Sequence, residues 1–204
     1  MKIVNKKPDV WSYDAIFADG NGTVFGSKEK PCVIKSVLYA PAEALCLIEP
    51  KSKIFGDIQS CITSSLRKYD FVNGSKDFFN DLKSNGFKTA LVTDMPEHIY
   101  YMNLYRNNNL GLNKLFQSII TLRPGEKNKP SPQTYKRARY QMFPIGDGKR
   151  KRILTFENDP KGVRAGLAAD MDVCAIINSN TSRKHMREMR DLTKLEIEHF
   201  HELM

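Results

Sequence analysis

The amino-acid sequence predicts an α/β fold in which helices flank one parallel β-sheet. Short apolar runs rich in β-branched residues alternate along the chain with helical patterns, and this alternation is typical of parallel strands. The chain has 204 residues, 41% of them hydrophobic and 27% charged, which suffices for one packed core and a small insertion but is short for two full domains. We therefore expect a single core.

Five apolar runs are predicted strands, and three segments between them are predicted helices. The strands cover residues 14–18, 88–93, 118–122, 152–156 and 172–177. The helices cover residues 75–85, 132–143 and 160–169. Gly86 follows the first helix, as glycine commonly does, while Pro132 and Pro160 open the other two in the first turn, where proline is tolerated.

Residues 28–71 interrupt this alternation. The segment contains several prolines and a mostly helical pattern over residues 58–69. We interpret it as an insertion after the first strand. It would stand over the carboxyl ends of the strands, where open α/β sheets bind their ligands, and it is therefore a candidate lid.

Neither the cysteines nor the C-terminal histidines form a metal-binding pattern. The four cysteines have no C-x-x-C spacing, so reduced thiols are expected; they are Cys32, Cys46, Cys61 and Cys174. From residue 185 onward the pattern predicts one or two helices. His199 and His201 would lie on opposite faces of such a helix, and we interpret them as surface residues and not as metal ligands.

The formal net charge of +9 suits either a polyanion or a small phosphate ester as partner. The densest basic run, residues 149–152 (KRKR), precedes a predicted strand without interleaved aromatics. We interpret it as a solvated loop, with nuclear targeting or nucleic-acid contact as the alternative. No apolar signal segment or membrane-spanning run occurs, so we expect a cytoplasmic or nuclear location and no membrane partner. A monomer is the favoured oligomeric state.

The stretch FADGNGTVFGS (17–27) is the first candidate for chemistry. Asp19 ends an apolar strand, and the tight turn that follows can direct backbone amides towards a phosphate. A carboxylate held there can ligate magnesium or attack phosphorus. The simpler interpretation is that Asp19 only caps the turn.

Three further positions follow strands or precede helices. Thr93 ends the second strand and places a hydroxyl at a helix N-terminus, where phosphates bind. Lys129, in NKPSP, could neutralise a phosphoryl transition state. Glu157, Asn158 and Asp159 end the fourth strand, where acidic residues often serve a cation. Taken singly, Thr93 and Lys129 could be ordinary loop residues and Asp159 an N-cap, but four such positions in order are hard to obtain by chance.

Four motifs together resemble the haloacid dehalogenase superfamily, and within it the pseudouridine-5′-phosphatase-like group. They are DAIFADGNGTVFGS, FVNGSKDFFNDLKSNGFKTALVTD, KPSPQTYKRARYQMF and ILTFENDPKGVRAGLAADMDVCAII. The resemblance covers nearly the whole chain. It implies a Rossmann-like core over residues 1–27 and 72–204, a shortened helical cap over residues 28–71, and hydrolysis of small phosphate monoesters with Mg²⁺.

The resemblance also implies a role for each site residue. Asp19 would be the nucleophile that forms an aspartyl-phosphate, while Thr93 and Lys129 would hold the phosphoryl oxygens. The metal would rest on the Asp19 carboxylate, the main-chain carbonyl of Asn21 and the Asn158 side chain, with Glu157 and less readily Asp159 as compensating ligands.

Three departures from the family pattern weaken the predicted site. Asn21 stands where family phosphatases keep the aspartate that protonates the leaving group, and an amide cannot exchange that proton. Asn158 replaces an aspartate ligand and removes a negative charge from the cation site. Asp94 adds a negative charge where the family usually has a small or neutral residue, close to the expected phosphate.

Three hypotheses follow from the sequence. The first is a weak phosphohydrolase for a small phosphorylated metabolite, a nucleotide or sugar phosphate such as pseudouridine 5′-phosphate. The second is a catalytically inactive protein on the same fold that binds a phosphate or a partner. The third, nucleic-acid binding, rests only on net charge and is placed last.

Overall fold

The computed structural model describes residues 6–27, 69–100, 111–144 and 151–204. Eight strands lie in these ranges: β1 Ala15–Asp19, β2 Phe25–Ser27, β3 Tyr69–Phe71, β4 Lys88–Pro96, β5 Ser118–Leu122, β6 Ile153–Glu157, β7 Asp172–Ile176 and β8 Leu195–Ile197. The helices are α1 Ser75–Ser84, α2 Glu97–Tyr100, α3 Leu112–Leu115, α4 Gln133–Met142, α5 Pro160–Ala168 and α6 Arg183–Leu192, with 3₁₀ turns at Val10–Ser12 and Phe200–Leu203.

Six of these strands form one parallel sheet in the order β5-β4-β1-β6-β7-β8. This confirms the predicted α/β class and all five predicted strands, since each predicted run overlaps an observed strand of this sheet. The three predicted helices are α1, α4 and α5. Because every strand pair is parallel, the carboxyl ends of β4, β1 and β6 lie side by side at one edge of the sheet.

The sheet carries hydrophobic side chains on both faces, as the alternation of a strand requires. On β1, Ile16 points into the cluster that includes the buried aromatics of α1 and the C-terminal turn, Phe78, Phe79 and Phe200. Phe17 points to the opposite face, into the cluster covered by α4 and α5. The two layers hold β1 in the centre of the sheet, and its last residue, Asp19, is fixed with it.

The C-terminal segment differs from its prediction. After α6 the chain forms the short edge strand β8 beside β7, and only one turn of 3₁₀ helix follows. His199 precedes that turn and has extended backbone. The prediction that His199 and His201 lie on opposite faces of one helix is therefore wrong. Lys6 bridges to Leu195 and adds backbone hydrogen bonds to β8. A strand of three residues has too short an apolar pattern to be distinguished from a helix in the sequence.

Strand β2 directly precedes the predicted insertion and pairs antiparallel with β3 at its end. The predicted helical pattern over residues 58–69 lies outside the described residues apart from Tyr69, which begins β3. The helical cap therefore stays a prediction. Lys149 and Arg150 of the basic run also lie outside the described residues, while Arg152 is exposed beside Tyr13. Within the described ranges, every helix is too short or too polar to cross a membrane.

Candidate functional site

The register of the sheet brings the predicted site residues together. Asp19 on β1 lies opposite Val92 on β4, and Glu157 ends β6 on the other side of β1. Thr93 follows Val92, where the pairing of β4 with β5 shifts register. Three neighbouring strands thus deliver a carboxylate, a hydroxyl and a second carboxylate to the same edge.

The ammonium of Lys129 lies at the centre of this edge. It donates hydrogen bonds to Asp19 Oδ1 at 2.5 Å, to Glu157 Oε1 at 2.8 Å and to the main-chain oxygen of Val92 at 3.2 Å. These acceptors use all three protons of an ammonium group. The Lys129 side chain is only 5% exposed, and that of Asp19 is 13% exposed. The predicted nucleophile and the predicted phosphate-binding lysine are therefore in direct contact.

A buried network fixes Glu157 in turn. The Tyr135 hydroxyl, from α4, donates to Glu157 Oε1, and the Thr155 hydroxyl donates to the Tyr135 oxygen at 3.1 Å. Gly162 in α5 leaves room for this carboxylate, because a Cβ there would lie 2.0 Å from Glu157 Oε2. We refer to Asp19, Lys129, Glu157 and Tyr135 as the buried cluster.

Burial and close charges shift the proton affinities of the buried cluster. Burial raises the pKa of Glu157 to about 8, although the Lys129 ammonium opposes the shift. Burial alone would lower the pKa of Lys129, but the carboxylates of Asp19 and Glu157 hold it well above its ordinary value. Lys129 therefore stays charged at neutral pH and keeps a positive charge against the predicted nucleophile.

The turn after β1 is fixed by its backbone and by one residue from the end of β6. Gly22 has a φ of 86° and donates its N–H to the Phe25 oxygen at 2.7 Å. A Cβ at Gly22 would lie 2.1 Å from Asn158 Nδ2, so only glycine fits. Thr23 donates to Asn158 Oδ1 at 3.1 Å. The Asn158 side chain thus packs on the turn, while Asn21 is exposed.

Two residues at the end of β4 complete the site. The Thr93 oxygen accepts from the Met95 N–H at 3.2 Å, which leaves the Thr93 hydroxyl proton available for an anion. Asp94 Oδ2 accepts from the main-chain N–H of Lys129 at 3.0 Å. Asp94 Oδ1 is buried and has no hydrogen-bond partner among the described residues. Burial raises the pKa of Asp94, and Lys129 opposes the shift.

The oxygen atoms near the turn suit a hard cation, but together they carry little negative charge. Asp19 offers a carboxylate, Asn21 a main-chain carbonyl and Asn158 an amide oxygen that already accepts from Thr23. Glu157 is engaged by Lys129 and Tyr135. In the described part of the chain, no three His, Cys, Asp or Glu side chains come together as a metal site. One carboxylate with neutral oxygens can hold Mg²⁺ beside a phosphate, at reduced affinity.

A cleft of about 640 Å³ opens beside the turn. Its walls carry amides and hydroxyls, with one carboxylate and one imidazole among them; the polar side chains are Asn21, Asn73, Asn158, Asn178, Asn180, Thr181, Ser182, Asp159 and His185. His185 Nδ1 lies 4.0 Å from Asp159 Oδ2, and Asp159 caps α5 as predicted, by accepting from the Lys161 N–H at 2.8 Å. We refer to this surface as the amide-lined cleft.

The structure brings the predicted site residues together, and it adds neighbours that sequence reasoning did not name. The structure brings Asp19, Thr93, Lys129 and Glu157 to one edge, with Asn21 and Asn158 on the adjoining turn. No sequence pattern predicts that Asp94 accepts a hydrogen bond from the Lys129 main-chain N–H. The roles of Tyr135 and Gly162 were likewise unassigned, although both lie in the quoted motifs.

Comparison with known proteins agrees with this architecture. A family model described as haloacid dehalogenase-like hydrolase matches residues 48–176. A solved haloacid dehalogenase family hydrolase from Deinococcus radiodurans, with bound phosphate and sodium, is similar with a TM-score of 0.62 and 16% identity, over 94% of this chain and 93% of that one.

Two further solved structures share the fold. A haloacid dehalogenase hydrolase of family IA, variant 3, from Entamoeba histolytica has a TM-score of 0.58 and 15% identity, over 94% of this chain and 95% of that one. A conserved haloacid dehalogenase-like protein of unknown function from Agrobacterium tumefaciens has a TM-score of 0.64 and 19% identity, over 94% and 96%. Such identities show the fold alone, but the family model covers more than half of the chain. The chain therefore belongs to the haloacid dehalogenase-like hydrolase family.

Proposed function

We propose that this protein is a slow phosphohydrolase for small phosphate monoesters that acts through an aspartyl-phosphate at Asp19. One observation carries the proposal: the carboxylate of Asp19 ends the central strand and contacts the Lys129 ammonium at 2.5 Å. A carboxylate so placed can approach phosphorus while the ammonium neutralises the charge that gathers on the phosphoryl oxygens.

The chain's own residues supply the parts of a two-step displacement. Asp19 attacks phosphorus, the ester oxygen leaves, and water then releases phosphate from Asp19. The Thr93 hydroxyl can donate to a phosphoryl oxygen, and the Lys129 ammonium, whose three protons are engaged, contributes its positive charge in both steps. Mg²⁺, if bound by Asp19, Asn158 and the Asn21 carbonyl, would add positive charge at the phosphate. Because Asn21 cannot exchange a proton, turnover is expected to fall about 10²–10⁴-fold below that of a site with aspartate there.

The amide-lined cleft favours a neutral, hydrogen-bonding leaving group. No lysine or arginine of the described residues lines it, so a carboxylate on the leaving group would find no cationic partner there. Its volume of about 640 Å³ is in the range of sites for small organic ligands. Nucleoside and sugar monophosphates therefore fit this surface, and pseudouridine 5′-phosphate is one member of that class.

An inactive phosphate-binding protein is the second candidate, and a specific observation favours it. Asn21 stands at the position expected for proton transfer and Asn158 at a position expected for metal binding, and both side chains are neutral amides. The Thr93 hydroxyl and the positive charge of Lys129 would still attract a phosphate without converting it. In this function the protein would bind phosphorylated ligands at the same edge and leave them unchanged.

Phosphate release from a panel of nucleoside and sugar monophosphates tests the proposal. Native protein, Asp19→Asn and Asn21→Asp are compared with and without Mg²⁺. We expect slow release by the native protein, none by Asp19→Asn, and an increase of about 10²–10⁴-fold in Asn21→Asp.

Two controls make this test decisive. The mass of position 21 is checked in each preparation, because Asn-Gly pairs deamidate and would create the aspartate artificially. Silence from native protein and Asn21→Asp together would reject the hydrolase. Phosphate binding that persists in both proteins, measured by calorimetry, would then support the second candidate.

A further inference from the structure

We infer that Asp159 and His185 form a hydroxyl-binding subsite that selects leaving groups containing a sugar. The inference rests on the proposed function and names what the site recognises beyond the phosphate. Both residues line the amide-lined cleft, which also includes Asn21 of the turn after the predicted nucleophile. Their side chains are 45% and 46% exposed, so a ligand in the cleft can reach them. A leaving group that extends from the phosphate into this cleft meets the pair.

The spacing of the pair fits one bound hydroxyl group. His185 Nδ1 lies 4.0 Å from Asp159 Oδ2, which is too long for a direct hydrogen bond. A hydroxyl oxygen about 2.8 Å from each of these atoms fits between them. It can donate its proton to the carboxylate and accept from an imidazole N–H. A leaving group without this hydroxyl forms neither hydrogen bond.

Local hydrogen bonds orient both side chains. Asp159 Oδ1 accepts from the Lys161 N–H at 2.8 Å and caps α5, while Oδ2 is the atom that lies 4.0 Å from the imidazole. His185 lies in the first turn of α6, where its main-chain N–H donates to the Ser182 hydroxyl oxygen at 3.2 Å. In the described part of the chain, neither Asp159 Oδ2 nor the His185 ring makes a hydrogen bond. Both atoms can therefore bind a ligand.

The packing of α5 against α6 fixes the distance across the pair, because one residue caps α5 and the other belongs to α6. Val163 of α5 and Met189 of α6 share one buried hydrophobic cluster with Val173 of β7, so both helices pack on the sheet. Arg164 also donates to Glu188 Oε1 at 2.7 Å, from α5 to α6. The subsite is thus formed before a ligand arrives, which lowers the cost of binding.

The neighbouring amides extend the same chemistry along the cleft. Asn73, Asn178 and Asn180 line it with groups that both donate and accept hydrogen bonds. A sugar carries several hydroxyls with the same two roles. An apolar leaving group would displace water from these amides without replacing its hydrogen bonds. The cleft therefore favours a sugar over an apolar or aryl leaving group.

Removal of the sugar hydroxyls from a substrate tests the inference. Uridine 5′-monophosphate is compared with its 2′,3′-dideoxy analogue and with p-nitrophenyl phosphate, whose leaving group cannot offer a sugar hydroxyl. We expect native protein to favour the ribonucleotide over the dideoxynucleotide by about 10–100-fold in kcat/KM, as for a hydrogen bond to a charged group. The same comparison is made in the Asn21→Asp background, where faster turnover is expected.

Asp159→Ser and His185→Phe each remove one side of the pair. Serine keeps an oxygen for the N-cap of α5, and phenylalanine keeps a ring without its nitrogens. Both variants should lose the preference for the ribonucleotide and keep native turnover of p-nitrophenyl phosphate. Asp9→Ser and His201→Phe are the matched controls and should keep the preference. Asp9 caps the 3₁₀ turn that precedes β1, and His201 lies in the C-terminal 3₁₀ turn.

Binding to Asp19→Asn gives a readout that does not require turnover. Calorimetry with the two nucleotides should show about 10–100-fold tighter binding of the ribonucleotide, and the difference should vanish in Asp19→Asn/His185→Phe. This measurement separates the inference from the proposed function. Silence from native protein and Asn21→Asp, with the difference in affinity retained, would reject the hydrolase and support the subsite.

Three outcomes would overturn the inference. Equal kcat/KM and equal affinity for the two nucleotides would show that the site recognises no sugar hydroxyl. A preference that persists in both Asp159→Ser and His185→Phe would show that other residues recognise the sugar. Equal losses with all three substrates in Asp159→Ser, and none in His185→Phe, would show that Asp159 serves the cation or the helix cap instead. Thermal unfolding of every variant separates these outcomes from misfolding.

Discussion

The buried cluster and the amide-lined cleft are neighbours that handle charge in opposite ways. In the cluster, the Lys129 ammonium lies within hydrogen-bond distance of both Asp19 and Glu157, and all three side chains are almost out of solvent. The cleft is open to solvent, and neutral amides such as Asn21 and Asn158 dominate its walls. In the proposed function, the buried cluster would lie against the phosphate, and the amide-lined cleft would contact the leaving group and the cation.

This difference separates folding from catalysis. A buried charge without its partner destabilises the folded state, so no member of the cluster can be removed without a large cost. In the cleft, where side chains face solvent, substitution of an aspartate by an asparagine changes the free energy of unfolding little. The contact of Lys129 with Asp19 and Glu157 can therefore be explained by folding alone. Activity depends on whether proton transfer survives outside the cluster.

The largest effect is expected from removing Glu157. Glu157→Ala should destabilise the protein by about 3–5 kcal/mol, because Lys129 and Tyr135 lose a shared partner in a dry interior. Urea unfolding followed by circular dichroism measures the change. Glu157→Gln, which keeps an acceptor for both donors, should lose less. A loss under about 1 kcal/mol in Glu157→Ala would show that the cluster does not stabilise the fold.

A smaller loss is expected from Gly162→Ala, although alanine is the better helix former by about 1 kcal/mol. The new Cβ would lie 2.0 Å from Glu157 Oε2 and would push that carboxylate off Lys129. We expect destabilisation of about 1–3 kcal/mol in urea unfolding. Gly26→Ala is the matched control, since nothing lies within 4 Å of its Cβ position. Equal stability of Gly162→Ala and native protein would show that Glu157 has room to move.

The smallest effect on stability is expected in the cleft. Asn158→Asp should change the unfolding free energy by no more than about 0.5 kcal/mol without metal, because Asn158 is only partly buried and aspartate still accepts from Thr23. Its added charge should instead appear as a larger rise in Tm on addition of Mg²⁺ than native protein shows. Titration of Tm against Mg²⁺, with Ca²⁺ alongside, measures this. Identical Mg²⁺ responses in the two proteins would remove Asn158 from the proposed metal ligands.

Much of the fold and part of the site follow from local patterns in the sequence. The apolar runs around Phe17 and Ile120 predict strands, because a parallel strand that is buried on both faces consists of consecutive apolar residues. A polar residue directly after such a run, as at Asp19 and Thr93, marks the carboxyl edge of the sheet. By contrast, β8 was missed because three residues carry no readable period and its position depends on pairing with β7.

The sequence by itself determined the α/β class, the order of the motifs and the identities of Asn21 and Asn158, since these depend on residue type and spacing along the chain. Only the tertiary structure decided which charges meet. Lys129 is 110 residues from Asp19 and 28 from Glu157, yet its ammonium contacts both, and its backbone holds Asp94. Such contacts depend on strand order and register, because parallel pairing brings distant strand ends to one edge, and no local pattern in the chain specifies that pairing.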